Sequence, residues 1–177
     1  MKTFLAFFFL SLASAFALDS LIICDDATDP VTLDPQKQFS EKNHTIVQQI
    51  YDGLVRFDAD GNVEAALAVS WKHIDDLRME FKLRQGVRFH DGEPFNAQSV
   101  RFSIERYLDP KTGFPALGYI GSIEKVEIVD EYTINIVTKF PDGLLINRLA
   151  GCILIVPPRY IAAHGADALH KHPVGTG

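Results

Sequence analysis

Three groups of residues have the types and spacing to do chemistry. His90 and Asp91 are adjacent and resemble half of a proton-relay triad. His164, His170 and His172 place three imidazoles within nine residues, a donor type that transition metals take. Asp25, Asp26, Asp29 and Asp34 crowd carboxylates into one loop, as a calcium site requires. Each group also has a simpler reading. Neighbouring residues in a turn do not set an imidazole against a nucleophile, and Asp91-Gly92 is a turn dipeptide. The histidines stand among Gly165, Ala166, Ala168 and Pro173, which reads as an exposed segment rather than a preformed cage. The aspartates lack the EF-hand spacing and its closing glutamate, so they read as turn formers. The sequence contains no G-x-S-x-G elbow, no Cys-x-x-Cys, no His-Glu-x-x-His and no phosphate loop. With no coupled nucleophile and base, no catalytic residue, metal site or cofactor is expected. Asn43-His44-Thr45 is a formal glycosylation sequon that nothing else in the sequence supports.

Composition narrows the class further. The 177 residues are 47% hydrophobic and 23% charged, an ordinary globular balance, with a formal net charge of −6. An acidic chain without a Lys/Arg cluster argues against a nucleic-acid partner. Residues 1–17 have the layout of a signal peptide: Lys2, the apolar run Phe4 to Leu12, and the small-x-small site Ala15-Phe16-Ala17. The apolar run is too short to span a bilayer. The chain is thus expected to be exported and soluble, with Leu18 as its mature N-terminus. Cys24 follows Ile23 and lies too far downstream for a lipoprotein, so no lipid anchor is expected. Cys24 and Cys152 both sit in apolar runs, which favours buried free thiols over a disulfide.

The elements that must position any site follow from periodicity. Leu21 to Cys24 reads as a buried strand and residues 25–36 as a loop broken by Pro30 and Pro35. Ser40 caps a helix in which Ile46, Ile50 and Leu54 recur at helical spacing, ending near Gly53. Val55 to Phe57 is extended, and Asp58 to Gly61 is a turn. Val69 to His73 alternates. Arg78 to Arg84 alternates with Met79, Phe81 and Leu83 on one face, and Gln85-Gly86 returns the chain through Val87 to Phe89 as a hairpin. Asn96 caps a helix to about Tyr107 with Val100, Ile104 and Tyr107 on one face. A second hairpin pairs the Val126 and Ile128 strand with Tyr132, Ile134 and Ile136 across Asp130-Glu131. Asp142 opens a short helix through about Ala150, Ile153 to Val156 is a buried strand, and Pro157-Pro158 starts a helix stopping near Gly165. His172 to Gly177 is loop-like. No internal repeat is present.

Several of these segments carry a resemblance. Thr32-Leu33-Asp34-Pro35, Ile50-Tyr51-Asp52-Gly53-Leu54-Val55, Leu67 to Trp71, Phe81 to Gly92, Ala97 to Arg106 and Pro173-Val174-Gly175-Thr176-Gly177 occur in an order and spacing that resemble the family 5 extracellular solute-binding proteins of ABC transporters. That family includes oligopeptide-, dipeptide- and nickel-binding proteins. The resemblance covers essentially the whole mature chain. It implies a mixed α/β (α+β) chain of the periplasmic binding protein-like II fold, incomplete here because the family is about three times longer. Residues 18–40 are then the first segment of lobe I, 41–168 an inserted α+β domain, and 169–177 a truncated return toward lobe I.

The resemblance also implies a role. The chain is expected to be a periplasmic binding component of an ABC importer, most often for di- or oligopeptides. It would deliver them to permease subunits in the inner membrane, as a monomer and without catalysis. Val31, Thr32 and Leu33 are implied to approach the ligand through their backbone, although residues 29–35 equally read as a simple chain turn. Gly151 and Cys152, ahead of the buried strand, are the second implied contact. Nickel-binding members tend to carry an arginine near this place. Here the segment reads Ala150-Gly151-Cys152-Ile153 and the nearest upstream arginine is Arg148, which counts against a nickel chelate. The alternatives of another class are an exported hydrolase and a metal chaperone using the terminal histidines.

Overall fold

A computed structural model of the chain describes residues 31–177. The expected signal peptide, the expected strand at Leu21 to Cys24, Cys24 itself and the aspartates at 25, 26 and 29 lie outside the described residues. The remaining elements are α1 (Glu41–Val47), β1 (Val55–Phe57), β2 (Val63–Ala65), β3 (Ala68–Asp75), β4 (Arg78–Leu83) and α2 (Ala97–Leu108). They continue with α3 (Leu117–Ile120), β5 (Ile123–Asp130), β6 (Thr133–Thr138), α4 (Leu145–Cys152), α5 (Pro158–His164) and a 3₁₀ turn at Ala168–His170.

Strands β3, β4, β6 and β5 form one antiparallel sheet in that spatial order. Alternation sends Met79, Phe81 and Leu83 to the covered face, where Met79 stands opposite Ile136 and Phe81 opposite Ile134. Helix α2 lies against β5 and closes this face with Val100, Ile104 and Tyr107, all buried. Its start is fixed by a capping box: Asn96 Oδ1 accepts the Gln98 amide at 2.9 Å, and the Asn96 amide donates to Ser99 Oγ at 3.4 Å. Strands β1 and β2 make a separate two-stranded ribbon around the Asp58 turn, in which Gly61 takes φ 82°.

Four local expectations change. The hairpin expected between Arg78–Arg84 and Val87–Phe89 does not form. Instead β4 pairs with β3 on one side and β6 on the other, and residues 87–89 leave the sheet after Gly86 at φ 78°. A central strand is chosen by two apolar neighbours, and nearness in sequence does not decide it. Helix α1 ends at Val47 instead of near Gly53. Residues 51–53 are drawn into an extended path where Asp52 O accepts the Ile155 amide at 2.9 Å, and a Cβ on Gly53 would stand 2.7 Å from Ile153 O. Helix α4 begins at Leu145, because Asp142 Oδ1 caps the Leu144 amide at 3.0 Å in a preceding turn. Residues 153–156 are buried and extended but join no sheet. Their amides go to Tyr107 Oη from Leu154 (3.2 Å), Asp52 O from Ile155 (2.9 Å) and Ser103 Oγ from Val156 (3.0 Å).

Candidate functional site

The loop at 31–36 is held by one buried hub. Arg106 projects from the covered side of α2 and binds Asp34 with both terminal nitrogens, at 3.0 and 2.6 Å. The same guanidinium donates to Gln36 Oε1 at 2.6 Å and to Ala166 O at 3.0 Å. Gln36 Nε2 in turn donates to Ser103 O at 3.0 Å. Asp34 and Gln36 are fully buried, so these bonds satisfy groups that water cannot reach. Tyr51 packs beside the hub; burial first, and then the Asp34 charge, raise its phenol well above the ordinary range.

The hub decides where the first predicted contact residues go. Thr32 is buried and its Oγ1 accepts the Asp34 amide at 3.1 Å. The Leu33 amide is taken by His170 O at 3.1 Å, so it is already paired. Val31 is 77% exposed.

Gly151 and Cys152 lie elsewhere, at the end of α4, and line a groove of about 610 Å³. Its walls are Phe39, Tyr119, Leu144 and Arg148. Tyr119 and Leu144 are 60% and 59% exposed, an unusual outlay of large apolar surface in one concavity. An aromatic chain ties the rim to the core: Tyr119 to Phe39 with ring centroids 5.9 Å apart, Phe39 to Phe114 at 5.8 Å, and Phe114 to Tyr107 at 4.7 Å. His44, from α1, meets the edge of Phe39 at 6.2 Å. Burial lowers the His44 pKa from 6.5, so its ring is neutral at pH 7. Burial raises the Cys152 thiol, with Arg148 pulling weakly the other way, so it is a protonated free thiol and no nucleophile.

A second, more polar depression of about 450 Å³ adjoins the first through Gly151, lined by His44, Gln48, Asp52, Arg56 and Phe57. Its charges are already engaged: Arg56 pairs with Glu64 at 2.6 Å, and Asp52 accepts the Thr176 hydroxyl at 2.8 Å. Gly151 borders both depressions, and a Cβ there would meet Phe57 at 3.6 Å. Val31, Thr32 and Leu33 line neither depression, so the structure keeps the two predicted contact groups apart.

Two of the histidines that first invite chemistry have structural partners. His90 Nδ1 accepts the Gly175 amide at 3.3 Å and Nε2 lies 2.8 Å from Gly177 O, a clasp on the C-terminal segment. His164 stacks on Tyr160 at 4.3 Å. Among the described residues no group of three or more His, Cys, Asp or Glu side chains gathers as a metal site. Sequence reasoning missed Phe39, Tyr119 and Leu144. Their one signal is that they are large apolar residues outside every periodic pattern.

The family model for bacterial extracellular solute-binding proteins, family 5 (middle) matches residues 62–177. The chain belongs to this family. The glutathione-binding protein GsiB of Salmonella typhi is 33% identical over 95% of this chain and 34% of its own length. The binding protein AgaA of A. tumefaciens R10, solved with agropinic acid, is 35% identical with a TM-score of 0.77, over 84% of this chain and 30% of that one. DppA of Helicobacter pylori, solved with the peptide STSA, is 29% identical with a TM-score of 0.75, over 82% and 33%. The mixed α/β chain therefore has the type II periplasmic binding protein fold in part, spanning about a third of the length of these relatives. Family 5 members are solute-binding components of ABC importers. Among the described residues no helix is long and apolar enough to cross a membrane.

Proposed function

We propose that the protein is the periplasmic substrate-binding component of an ABC importer, that its ligands are di- or oligopeptides, and that it catalyses no reaction. The observation that carries this reading is the aromatic groove beside Gly151 and Cys152. It is concave, apolar and open along one side, with no nucleophile or metal-ligand cluster among the described residues. A second lobe closing over that side would remove the ligand from water, as tight binding of a small solute requires. Peptides are favoured because two of the relatives above bind them: DppA was solved with a tetrapeptide, and glutathione is itself a small peptide. In this reading residues 1–17 export the chain, residues 18–40 and 169–177 belong to the first lobe, and 41–168 form an inserted domain. The loaded protein docks as a monomer on inner-membrane permease subunits, and Val31 to Leu33 border the cleft through their backbone.

The test uses the intact protein, stripped of ligand by unfolding and refolding. Calorimetric titration with di- and tripeptides should give saturable binding, and peptides should be found by mass spectrometry in material purified without stripping. Saturable binding of a nickel–histidine complex, with none for any peptide, would replace peptide by metal chelate.

A further inference from the structure

The aromatic groove contains one permanent charge, Arg148, and the structure accounts for it. Arg148 Nη1 donates to Tyr119 O at 2.8 Å, and its Nε lies 3.6 Å from Asp142 Oδ2. The same Asp142 oxygen accepts the Ser122 hydroxyl at 2.6 Å, while Oδ1 caps the Leu144 amide at 3.0 Å. The Asp142 side chain is 5% exposed and that of Arg148 30%. Asp142 thus stands behind the groove, and it reaches both the α3 side, through Ser122 and the Arg148–Tyr119 bond, and the first turn of α4. Of the other polar side chains lining the groove, the Asn147 amide carries no charge and the Cys152 thiol is protonated at pH 7.

From this geometry we infer that Asp142 is a specificity-setting, positioning residue: it sequesters the Arg148 cation, so that the groove takes an uncharged apolar group of the ligand and rejects an acidic one. An arginine held only by a backbone carbonyl would attract carboxylates or sulfonates into the same space. With the carboxylate 3.6 Å behind it, the potential that the guanidinium projects at the groove surface is cut by roughly half. The inference rests on the groove being the ligand wall, and it narrows the proposed peptides to those presenting an apolar side chain there.

A matched pair of probes reads the charge preference without assuming that the ligand is a peptide. N-phenyl-1-naphthylamine is neutral, and 1-anilinonaphthalene-8-sulfonate is the same ring system carrying an anion. Fluorescence titration of the intact protein should show the neutral probe bound more tightly. Asp142→Asn should shift the affinity ratio toward the sulfonate by about tenfold. Adding Arg148→Met to that variant should abolish the shift, which identifies the cation responsible. Asp142→Glu should keep the wild-type ratio, and it tests the idea if the asparagine variant does not fold. Tyr119→Ala should weaken both probes and so locate them in the groove. An unchanged ratio in Asp142→Asn, or a shift that survives removal of Arg148, overturns the inference. Failure of all peptides to bind, with the probe pattern intact, overturns the proposed ligand class and leaves this inference standing.

Discussion

Asp34–Arg106 and Asp142–Arg148 use the same two side-chain types at different depths. In the first pair the side chains are 0% and 9% exposed, the contact is bidentate, and the remaining donors of Arg106 reach Gln36 and Ala166. In the second the contact is single, at 3.6 Å, and Arg148 is open to the groove. Depth sets what each pair can do. A buried pair has been taken out of water at a large cost, and removing one partner strands the other. A pair whose cation stays partly exposed, as Arg148 does, is better screened, contributes less to stability, and shapes the potential that a ligand meets. The first is therefore a lock on the loop at 31–36, and the second a control on the groove.

The largest expected effect comes from breaking the lock. Arg106→Ala should destabilise the protein by about 3–5 kcal/mol, measured by urea denaturation, because the buried Asp34 loses its counter-ion. Asp34→Ala should cost a similar amount, and the double variant should cost much less than the sum. Additive effects would mean that the two residues act separately. Gly175→Ala comes next. Its Cβ would overlap the Ile50 carbonyl, and the His90 clasp holds that segment from the other side, so a cost of about 2 kcal/mol is expected by the same denaturation. By contrast, Arg148→Ala should cost about 1 kcal/mol or less, because Asp142 keeps the Ser122 hydroxyl and the Leu144 amide. A cost as large as that of Arg106→Ala would erase the distinction between the two pairs.

The two regions also differ in how far they could be read from sequence. The sheet and α2 were legible because burial imposes a period: Met79, Phe81 and Leu83 alternate, Val100, Ile104 and Tyr107 recur at helical spacing, and Asn96 marks the start. What failed was pairing, since nothing local tells β4 that its neighbours are β3 and β6 rather than residues 87–89. The lock was half legible. Thr32 to Pro35 and the segment Ala97 to Arg106 each stood out as motifs, but a sequence separation of 72 hides the contact between Asp34 and Arg106. An arginine three residues after Ser103, on a helix face otherwise turned inward, was the available clue. The groove was legible only at Gly151 and Cys152. Phe39, Tyr119 and Leu144 obey no period because their surface is left open, and an unburied apolar residue leaves no pattern in the sequence.

Tyr119→Ala separates groove from lock in the other direction. Tyr119 is 60% exposed, so its removal should change stability by about 0.5 kcal/mol or less. Ligand affinity, followed by calorimetry, should fall by about tenfold as an aromatic wall is lost. A large loss of stability with affinity unchanged would make Tyr119 a core residue and the groove incidental.

The smallest effect concerns His44 at the groove rim. Burial lowers its pKa from the ordinary 6.5, so the unfolded chain takes up a proton there before the folded protein does. The sign follows: the stability linked to His44 is fully present above pH 6.5 and is lost as pH falls through that value toward the lower folded one. Thermal unfolding from pH 7 to about 5 should therefore show a shallower fall in Tm for His44→Gln than for wild type. Once protonated, the ring also brings a cation to the edge of Phe39. The sulfonate probe should gain on its neutral partner as the ring takes up its proton, and His44→Gln should remove that gain. A gain that persists in the variant would assign the pH response to another group and leave Arg148 as the cation that matters.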